Sequence, residues 1–186
     1  GIPNIHLDLA SHLISLLIYF FNSVPTKVNS FEIKNSKKSY IDNAFTWLRF
    51  KKFIGHLWFS KNATGKRNEL SIQIFGNKGS LQWTHNNPEE VHFFDNSGNI
   101  SIINRLSKKT KYLSNKKLFT YSPGHPGGFL DAFINIYNQI YFLYVNKKVE
   151  IPILLDLKSN LDVIETLDKI HVSSNKKKWQ SILLKK

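Results

Sequence analysis

Apolar and polar positions follow two different periods along the chain. Near the N terminus the apolar residues recur at three- and four-residue spacing, which predicts one buried face of a helix. These residues are Leu9, Leu13, Leu16, Leu17 and Phe20. Asp8 precedes the stripe and is predicted as the N-cap of this helix, and the segment from Asn22 to Pro25 is predicted to end it.

From Lys27 to about Ile103 the pattern changes to short runs rich in β-branched and aromatic residues, separated by turn residues. The turn signals Asn77-Lys-Gly79 and Asn96-Ser-Gly98 lie at hairpin distance from their neighbours. Sequential hairpins predict a mainly antiparallel sheet. The predicted strands are Val28–Ile33, Ala44–Phe50, Ile54–Ser60, Glu69–Phe75, Ser80–Thr84, Val91–Phe94 and Ile100–Ile103.

Two further helices are predicted after the strands, followed by a short closing strand from Trp179 to Leu184. The first covers about Phe129 to Val145, with a buried stripe of Phe129, Phe133, Ile136, Ile140 and Leu143 or Tyr144. The second covers about Leu157 to Ser173, with a buried stripe of Leu157, Leu161, Ile164, Leu167 and His171. The polar segment 108–121 is predicted to be a surface excursion.

This order of elements predicts one α+β domain over residues 1–186. Its core is a mainly antiparallel open sheet with helices packed on one face. The other face of the sheet then needs a cover, which makes it available for subunit pairing.

The net charge of +13 raises nucleic acid or an anionic surface as a partner. However, only three of the 26 cationic residues are Arg, whereas base readout and bidentate phosphate recognition favour Arg. The lysines cluster in pairs and triplets at predicted loops. This distribution favours a solvated surface over a nucleic-acid face and is compatible with an anionic substrate.

The absence of cysteine excludes disulfides, zinc–thiolate sites and cysteine nucleophiles, and it suits a reducing, cytoplasmic compartment. The most apolar run, from Leu13 to Phe21, is much shorter than the roughly 20 residues that span a bilayer. We therefore expect no membrane segment. Since no basic region precedes this run, it is not a typical signal peptide.

Asp8 and His12 are the first candidate site. Positions i and i+4 of a helix share a face, so a carboxylate there can orient an imidazole that exchanges protons near neutral pH. A helix cap and a surface histidine are the plainer interpretation of the same two residues.

Four motifs give the sequence a family resemblance. Asp8-Leu-Ala-Ser-His12, Thr64-Gly-Lys-Arg-Asn-Glu-Leu70, Ile74-Phe-Gly-Asn-Lys-Gly-Ser-Leu-Gln-Trp83 and Pro123-Gly-His-Pro-Gly-Gly-Phe129 occur in this order. They resemble successive landmarks of the C-terminal domain of the Gfo/Idh/MocA oxidoreductases, over nearly the whole chain. One departure is Ala10, where many relatives have Gly, and a helix tolerates this exchange.

The resemblance implies a substrate-binding and oligomerisation domain of an NAD(P)-dependent enzyme acting on a sugar, sugar derivative or polyol. His12 is then the acid/base on the substrate hydroxyl or carbonyl, and Asp8 orients it and binds substrate. The cofactor, NAD or NADP, and a catalytic lysine are implied on an N-terminal Rossmann domain before Gly1, so this segment alone is expected to be inactive. The open sheet face implies a homo-oligomer.

Two other groups are candidates for substrate contacts. His125 lies in a Gly/Pro-rich loop that leads into a predicted helix, where an imidazole and backbone N–H groups can approach a ligand. Lys66, Arg67 and Asn68 could meet substrate hydroxyls or phosphate. A tight loop at His125 and a solvated hairpin end at 66–68 are the structural alternatives.

Two alternatives to the oxidoreductase remain open. The first is a non-catalytic binding module of the same fold, whose basic surface serves an acidic partner. The second is a metal hydrolase using His6, Asp8 and His12. Because no His-x-Glu or His-Glu-x-x-His pattern occurs, we expect no metal site. We also expect no cofactor site in the chain, since neither glycine-rich stretch forms the strand–turn–helix that cradles a pyrophosphate.

Overall fold

The computed structural model describes residues 1–34, 37, 39–107, 121–122, 124–125, 127–145 and 156–182. The chain divides into two compact units, of which the first combines Gly1–Thr64 with Leu155–Lys186 and the second covers Gly65–Leu154. The predicted excursion at 108–121 lies outside the described residues except for Tyr121.

The helices and strands follow one another in the predicted order. A π-helical turn at His6–Ala10 leads into α1 (Ser11–Phe21), and seven strands follow before α2 (Phe129–Tyr144), α3 (Leu157–Lys176) and β8 (Gln180–Ser181). The seven strands are β1 (Lys27–Lys34), β2 (Ile41–Arg49), β3 (Ile54–Ser60), β4 (Ser71–Gly76), β5 (Gly79–Thr84), β6 (Val91–Asp95) and β7 (Ile100–Ile103).

The strands form two four-stranded sheets, one in each unit, and all pairings are antiparallel. The α+β class with antiparallel pairing is therefore confirmed, while the predicted sheet is divided in two. Strands β3 and β7 have the predicted bounds. Strand β2 begins three residues before the predicted Ala44, because the segment from Ile41 pairs with the end of β1.

In the first unit the sheet has the strand order β3-β2-β1-β8. Its inner face carries small and aliphatic side chains that are fully buried, among them Val28, Ala44 and Leu48. Helix α3 packs on β1, and α1 packs on α3. Period-2 alternation thus produces one buried face on each strand, as expected for a half-buried sheet.

The opposite face of this sheet is rich in exposed aromatic and aliphatic residues. Phe45 and Trp58 stack across β2 and β3 with ring centroids 6.2 Å apart, and Trp47 lies 4.8 Å from the ring of His56. We call the residues on this side the open face: Phe31, Ile33, Phe45, Trp47, Ile54 and Trp58, each at least 37% exposed.

A buried polar seam joins α3 to the sheet. The hydroxyl of Ser173 accepts a hydrogen bond from the backbone N–H of Ser30 at 3.1 Å and donates to the carbonyl of Lys178 at 2.8 Å. The Ser30 hydroxyl in turn contacts that of Thr46 at 2.8 Å. Because each buried hydroxyl has partners, these groups can replace apolar residues here without a large desolvation cost.

The second unit contains the meander β4-β5-β6-β7. The turn at Asn77 and Lys78 joins β4 to β5, which confirms the hairpin that the sequence predicts. Gly79 follows with φ +140°, and a Cβ at this position would lie 2.3 Å from the carbonyl oxygen of Phe94. Only glycine therefore allows β5 and β6 to approach here.

The predicted bounds of α2 are correct to one residue, but the predicted buried face is wrong. Phe129 and Tyr144 are 77% and 84% exposed, whereas Asp131 and Gln139 are buried. The Asp131 carboxylate accepts a hydrogen bond from the Gly128 N–H at 3.2 Å and so folds back on the start of the helix. Apolar residues occupy most sides of α2, so periodicity could not identify its buried side.

Helix α3 is also rotated relative to the prediction. Leu167 is fully buried as expected, while Leu157 and Leu161 are 78% and 60% exposed. The buried positions are Val163, Thr166, Leu167, Ile170 and Ser173. Two of these, Thr166 and Ser173, are polar, and their hydroxyls form hydrogen bonds within the helix or to the sheet. Among the described residues, no helix combines the length and hydropathy that crossing a membrane requires.

The observed buried face of α3 predicts different losses of stability for the same substitution at two positions. Leu167→Ala should lower the free energy of unfolding by about 2–5 kcal/mol, because it opens a cavity in the core. Leu161→Ala, on the exposed side of the same helix, should change it by less than about 0.5 kcal/mol. Urea unfolding of both variants measures the difference, and equal losses would contradict the assigned face.

Candidate functional site

The first candidate residues lie on and just after the π-helical turn. The backbone is already helical at Ile5, with φ −59° and ψ −33°, and the Ser11 N–H closes the wide turn on the carbonyl of His6. Asp8 therefore lies inside the helical segment, and the prediction that it is the N-cap is wrong. No side chain caps the start of this helical segment, so the Asp8 carboxylate forms no capping hydrogen bond. π-Helical turns of this kind occur often at functional sites.

Asp8 forms a salt bridge with Lys61, the residue that follows β3. The Lys61 Nζ lies 2.6 Å from Oδ2 of Asp8 and donates to Oδ1 of Asn4 at 2.8 Å. The backbone of Lys61 is held as well, since its N–H donates to the carbonyl of Asp42 at 2.8 Å. Lys61 thus joins the end of β3 to the turn that carries Asp8.

This contact lowers the pKa of Asp8. The hydrogen bond from Lys61, together with its positive charge, holds the pKa of the Asp8 carboxyl below the ordinary value of 3.8, and the charge of His12 adds a smaller lowering. An aspartate is ionised at neutral pH even at its ordinary pKa, so the effect of Lys61 is to keep Asp8 ionised to a lower pH. An ionised Asp8 can accept a hydrogen bond from a substrate hydroxyl.

His12 lies on α1, one turn after Asp8, and is exposed. In the part of the chain that the structure describes, the hydrogen bond to the Asp8 carboxylate comes from Lys61, and no hydrogen bond between Asp8 and His12 occurs. The two side chains therefore share a region of the surface, but direct orientation of His12 by Asp8 stays a prediction. The imidazole is accessible to a bound molecule.

Beneath the turn, two imidazoles meet a buried carboxylate. Nε2 of His6 lies 3.0 Å from Oε1 of Glu32, and Nδ1 of His171 lies 2.9 Å from Oε2. The His6 side chain is fully buried, and that of Glu32 is 4% exposed. The contact of His6 is short but lacks hydrogen-bond geometry, and neither ring nitrogen of His6 has a hydrogen-bond partner among the described residues. His6 is thus directed into the core and away from Asp8.

A groove of about 490 Å³ adjoins these residues in the first unit. Lys61 lines it together with basic and hydroxyl-bearing side chains, so the residue that holds Asp8 also forms part of the groove wall. The other lining residues are Pro3, Asn4, Ile5, Lys34, Ser39, Tyr40, Ile41 and His171. Its volume is in the range of small-molecule sites.

Lys66, Arg67 and Asn68 lie in the second unit, in the turns that precede β4. Lys66 pairs with Glu69 at 3.3 Å, and Arg67 has φ +50°, a left-handed conformation suited to a tight turn. The carbonyl of Asn68 lies 3.4 Å from Nδ1 of His85. Lys66 and Asn68 thus have local contacts, as the solvated-turn interpretation also expects.

His125 also lies in the second unit and is exposed. Its backbone is fixed by Arg105, whose guanidinium donates to the carbonyls of His125 at 3.1 Å and Tyr121 at 3.2 Å. Arg105 is itself nearly buried and pairs with Glu89 at 2.5 Å. The His125 ring packs beside Tyr121 and contacts Ser122. Arg105, which follows β7, therefore holds the backbone of this loop, while the imidazole of His125 lies at the surface.

Sequence reasoning missed Lys61, Glu32 and Arg105. Lys61 is 57 residues from Asn4, and Glu32 is 139 residues from His171, so no local pattern connects these pairs. Lys61 does stand alone directly after a predicted strand, unlike most of the clustered lysines. This position was the one available signal that it differs from the solvated lysines.

The described residues offer no group of three or more histidine or acidic side chains arranged to hold a metal ion. His6 is buried, whereas Asp8 and His12 are exposed, so these three residues do not converge as the metal hypothesis requires. Gly76 and Gly79 belong to a β-hairpin, a geometry that provides no helix N-terminus for a pyrophosphate.

Comparisons with known proteins agree on one architecture. Residues 5–182 match the family model described as the C-terminal alpha/beta domain of the oxidoreductase family. An oxidoreductase from Pseudomonas syringae superposes with TM-score 0.85 at 16% identity, covering 97% of this chain and 52% of that one. No curated protein matches the chain.

Two further similar structures carry ligands. An inositol dehydrogenase homolog from Azotobacter vinelandii, complexed with NADH and myo-inositol, has TM-score 0.77 and 16% identity, with coverage of 94% and 48%. A levoglucosan dehydrogenase in complex with NADH and levoglucosan has TM-score 0.76 and 17% identity, with coverage of 94% and 49%. The chain thus spans about half the length of these structures.

The salt bridge predicts how Asp8 responds to loss of its cation. Lys61→Met should raise the pKa of Asp8, because both the hydrogen bond and the charge disappear. The Asp8 carboxylate contributes stability above pH 3.8 that is lost as the pH falls through its lowered pKa, and the variant should lose this contribution. Titration by ¹³C NMR of the Asp8 carboxyl measures the change. Lys66→Met, which removes the partner of Glu69, is the matched control and should leave Asp8 unaltered. An identical Asp8 midpoint in Lys61→Met would contradict the assignment.

Proposed function

Because the chain belongs to the C-terminal alpha/beta domain family of the Gfo/Idh/MocA oxidoreductases, we propose that it is the substrate-binding and oligomerisation domain of an NAD(P)-dependent oxidoreductase. The proposed substrate is a sugar, sugar derivative or polyol that reacts at a hydroxyl or carbonyl. Residues 1–186 form a single functional domain in this proposal, and a cytoplasmic location accompanies it.

The observation that carries the proposal is the ionised Asp8 on the same helical segment as the accessible imidazole of His12. A carboxylate that stays charged binds hydroxyl groups as an acceptor. An exposed imidazole exchanges protons near neutral pH. A polyhydroxylated molecule can use both groups at once, with one hydroxyl on Asp8 and the reacting hydroxyl on His12.

Each residue then has a separate role. His12 takes the proton from the hydroxyl when the substrate is oxidised, while the hydride on the same carbon would pass to the nicotinamide, and it returns the proton to the carbonyl oxygen in reduction. Asp8 binds and aligns the substrate, and Lys61 holds Asp8 in place. The groove that Lys61 lines supplies room for the remainder of the substrate.

The ligands of the two dehydrogenase structures described above are consistent with the proposed substrate class. Myo-inositol and levoglucosan are both rings with several hydroxyl groups. At identities below 20% these structures establish the fold alone, so the substrate of this chain rests on the chemistry of Asp8 and His12. His125, Lys66, Arg67 and Asn68 are proposed as further substrate contacts, with Arg105 holding the His125 loop.

The nicotinamide cofactor does not fit the described residues of this chain. The Gly76–Gly79 turn is a β-hairpin, and the residues that the structure describes directly before Gly124, Tyr121 and Ser122, belong to no strand of the kind that precedes a dinucleotide loop. We therefore propose that NAD or NADP is bound by another part of the enzyme. This chain contributes substrate binding and proton transfer.

The proposed acid/base is tested in the full-length enzyme. His12→Ala should lower kcat by roughly 10²–10⁴-fold, the usual contribution of a positioned acid or base. His92→Ala is the control, because His92 is also partly exposed but pairs with Glu90 in the second unit. Turnover of inositols and anhydrosugars with NAD and NADP is the measurement. A His12→Ala variant with wild-type kcat would remove His12 from the reaction.

A second copy of the chain is the proposed cover of the open face. Stable protein interfaces bury about 800 Å² on each partner and are rich in aromatic residues, and the open face presents three aromatic side chains on β2 and β3. The cluster includes the stacked Phe45–Trp58 pair.

Charging the open face should dissociate the oligomer. Trp47→Lys should weaken self-association of the full-length protein by at least about tenfold, because it buries an unpaired charge at the interface. Phe75→Lys is the control, since Phe75 is 79% exposed in the other sheet. Sedimentation velocity measures the mass, and an unchanged oligomer in Trp47→Lys would exclude the open face as the interface.

A non-catalytic binding module with a basic surface is the alternative function. The net charge of +13 favours it, whereas the charged and geometrically fixed Asp8 has no evident use in it. Binding to an acidic polymer with a steep salt dependence, in a full-length protein that lacks dehydrogenase activity, would favour the alternative.

A further inference from the structure

We propose that Glu32 is a positioning residue for Asp8 and His12: its buried carboxylate, held by His171, anchors the π-helical turn through His6. The inference rests on the proposed function, because it concerns the same acid/base pair. Glu32 touches no reacting atom in this account. It acts through His6, which begins the turn.

The carboxylate lies at the meeting point of three elements. Glu32 is on β1, His6 begins the π-helical turn, and His171 is on α3. Both carboxylate oxygens contact the His171 Nδ1, at 2.9 and 3.1 Å, and one of them lies 3.0 Å from the His6 Nε2. One side chain therefore connects the sheet and α3 to the turn that precedes the candidate acid/base.

The position of Glu32 is itself fixed. Its backbone N–H donates to the Ser174 hydroxyl at 3.0 Å. The Nδ2 of Asn175 contacts the other ring nitrogen of His171 at 3.1 Å. An amide donor at Nε2 assigns the hydrogen to Nδ1, which therefore donates to Glu32. The anchor thus has defined partners on the α3 side.

The turn is short and its anchor points are close to Asp8. His6 is two residues before Asp8, and its carbonyl accepts the hydrogen bond from Ser11 that closes the turn. On the outer side, Lys61 holds Asp8 directly. A π-helical turn is rare and persists where its surroundings favour it. Fixed contacts on both sides of the turn therefore determine where Asp8 and His12 point.

Core packing alone does not account for these residues. An apolar side chain of similar volume at position 32 would fill the same space, whereas a buried carboxylate costs free energy unless its partners are well placed. The edge of the His6 ring already packs against Phe59 at 5.4 Å, so the ring has an apolar neighbour without Glu32. What Glu32 adds is a hydrogen bond that orients the His171 ring and a close polar contact, at 3.0 Å, with the His6 ring.

The test uses Glu32→Gln in the full-length enzyme, which keeps the volume but removes the charge and one acceptor. We expect kcat to fall about 10- to 100-fold, the effect of a misplacement near 1 Å, with a smaller rise in KM because Asp8 also binds the substrate. A loss larger in kcat than in KM indicates that the interaction acts mainly in the transition state.

Thr166→Val is the matched control for stability. Thr166 is fully buried on α3, and its hydroxyl bonds within its own helix to the carbonyl of Asp162. This variant should lower Tm while leaving kcat within twofold of the wild type. If Glu32→Gln also keeps kcat within twofold, whatever its Tm, the positioning role is overturned.

Two further outcomes separate this inference from the proposed function. If His12→Ala retains full turnover, the proposed acid/base fails. If His12→Ala loses turnover and Glu32→Gln does not, only the positioning role fails.

Should Glu32→Gln not fold, His171→Gln replaces it. This substitution exchanges the imidazole that bonds to Glu32 for a side-chain amide of different length, so the carboxylate is no longer held in the same position. The same loss, larger in kcat than in KM, is then expected, and an unaltered kcat overturns the proposal.

Discussion

The salt bridge between Lys61 and Asp8 is the contact on which the rest of the site depends. It joins the end of β3 to the π-helical turn and lowers the pKa of the carboxyl. Without it, an exposed aspartate is still ionised at neutral pH but has no contact that fixes its position. With it, the helical segment presents an ionised carboxylate and an accessible imidazole, and these two groups suit the proton chemistry of a hydroxyl-bearing substrate.

The fold was predictable where the physics is local. β-Branched runs bounded by turn residues identified the strands, and Ile54–Ser60 matches β3. The helical faces were less accessible to sequence reasoning. Apolar residues surround α2. On α3 the hydroxyl of Thr166 bonds within the helix and that of Ser173 bonds to the sheet and to Lys178, so polar residues are buried and hydrophobic periodicity could not identify the buried sides. The candidate pair Asp8 and His12 was visible as a motif, whereas the residues that hold it come from distant parts of the chain.

The two faces of the first sheet divide the proposed functions. The inner face supports α3 and, through Glu32, the turn that carries Asp8. The open face presents aromatic side chains for a second copy. In the proposed function, this domain binds the substrate and transfers the proton, and the cofactor is bound by another part of the enzyme.

The most direct measurement is a crystal structure of the full-length enzyme with its nicotinamide cofactor and a bound polyol or sugar. The account predicts the reacting hydroxyl within about 2.6–3.2 Å of the His12 imidazole. It also predicts a neighbouring hydroxyl on the Asp8 carboxylate, with Lys61 still paired to Asp8. A substrate whose reacting carbon lies beside the cofactor but out of reach of His12 and Asp8 would contradict the account.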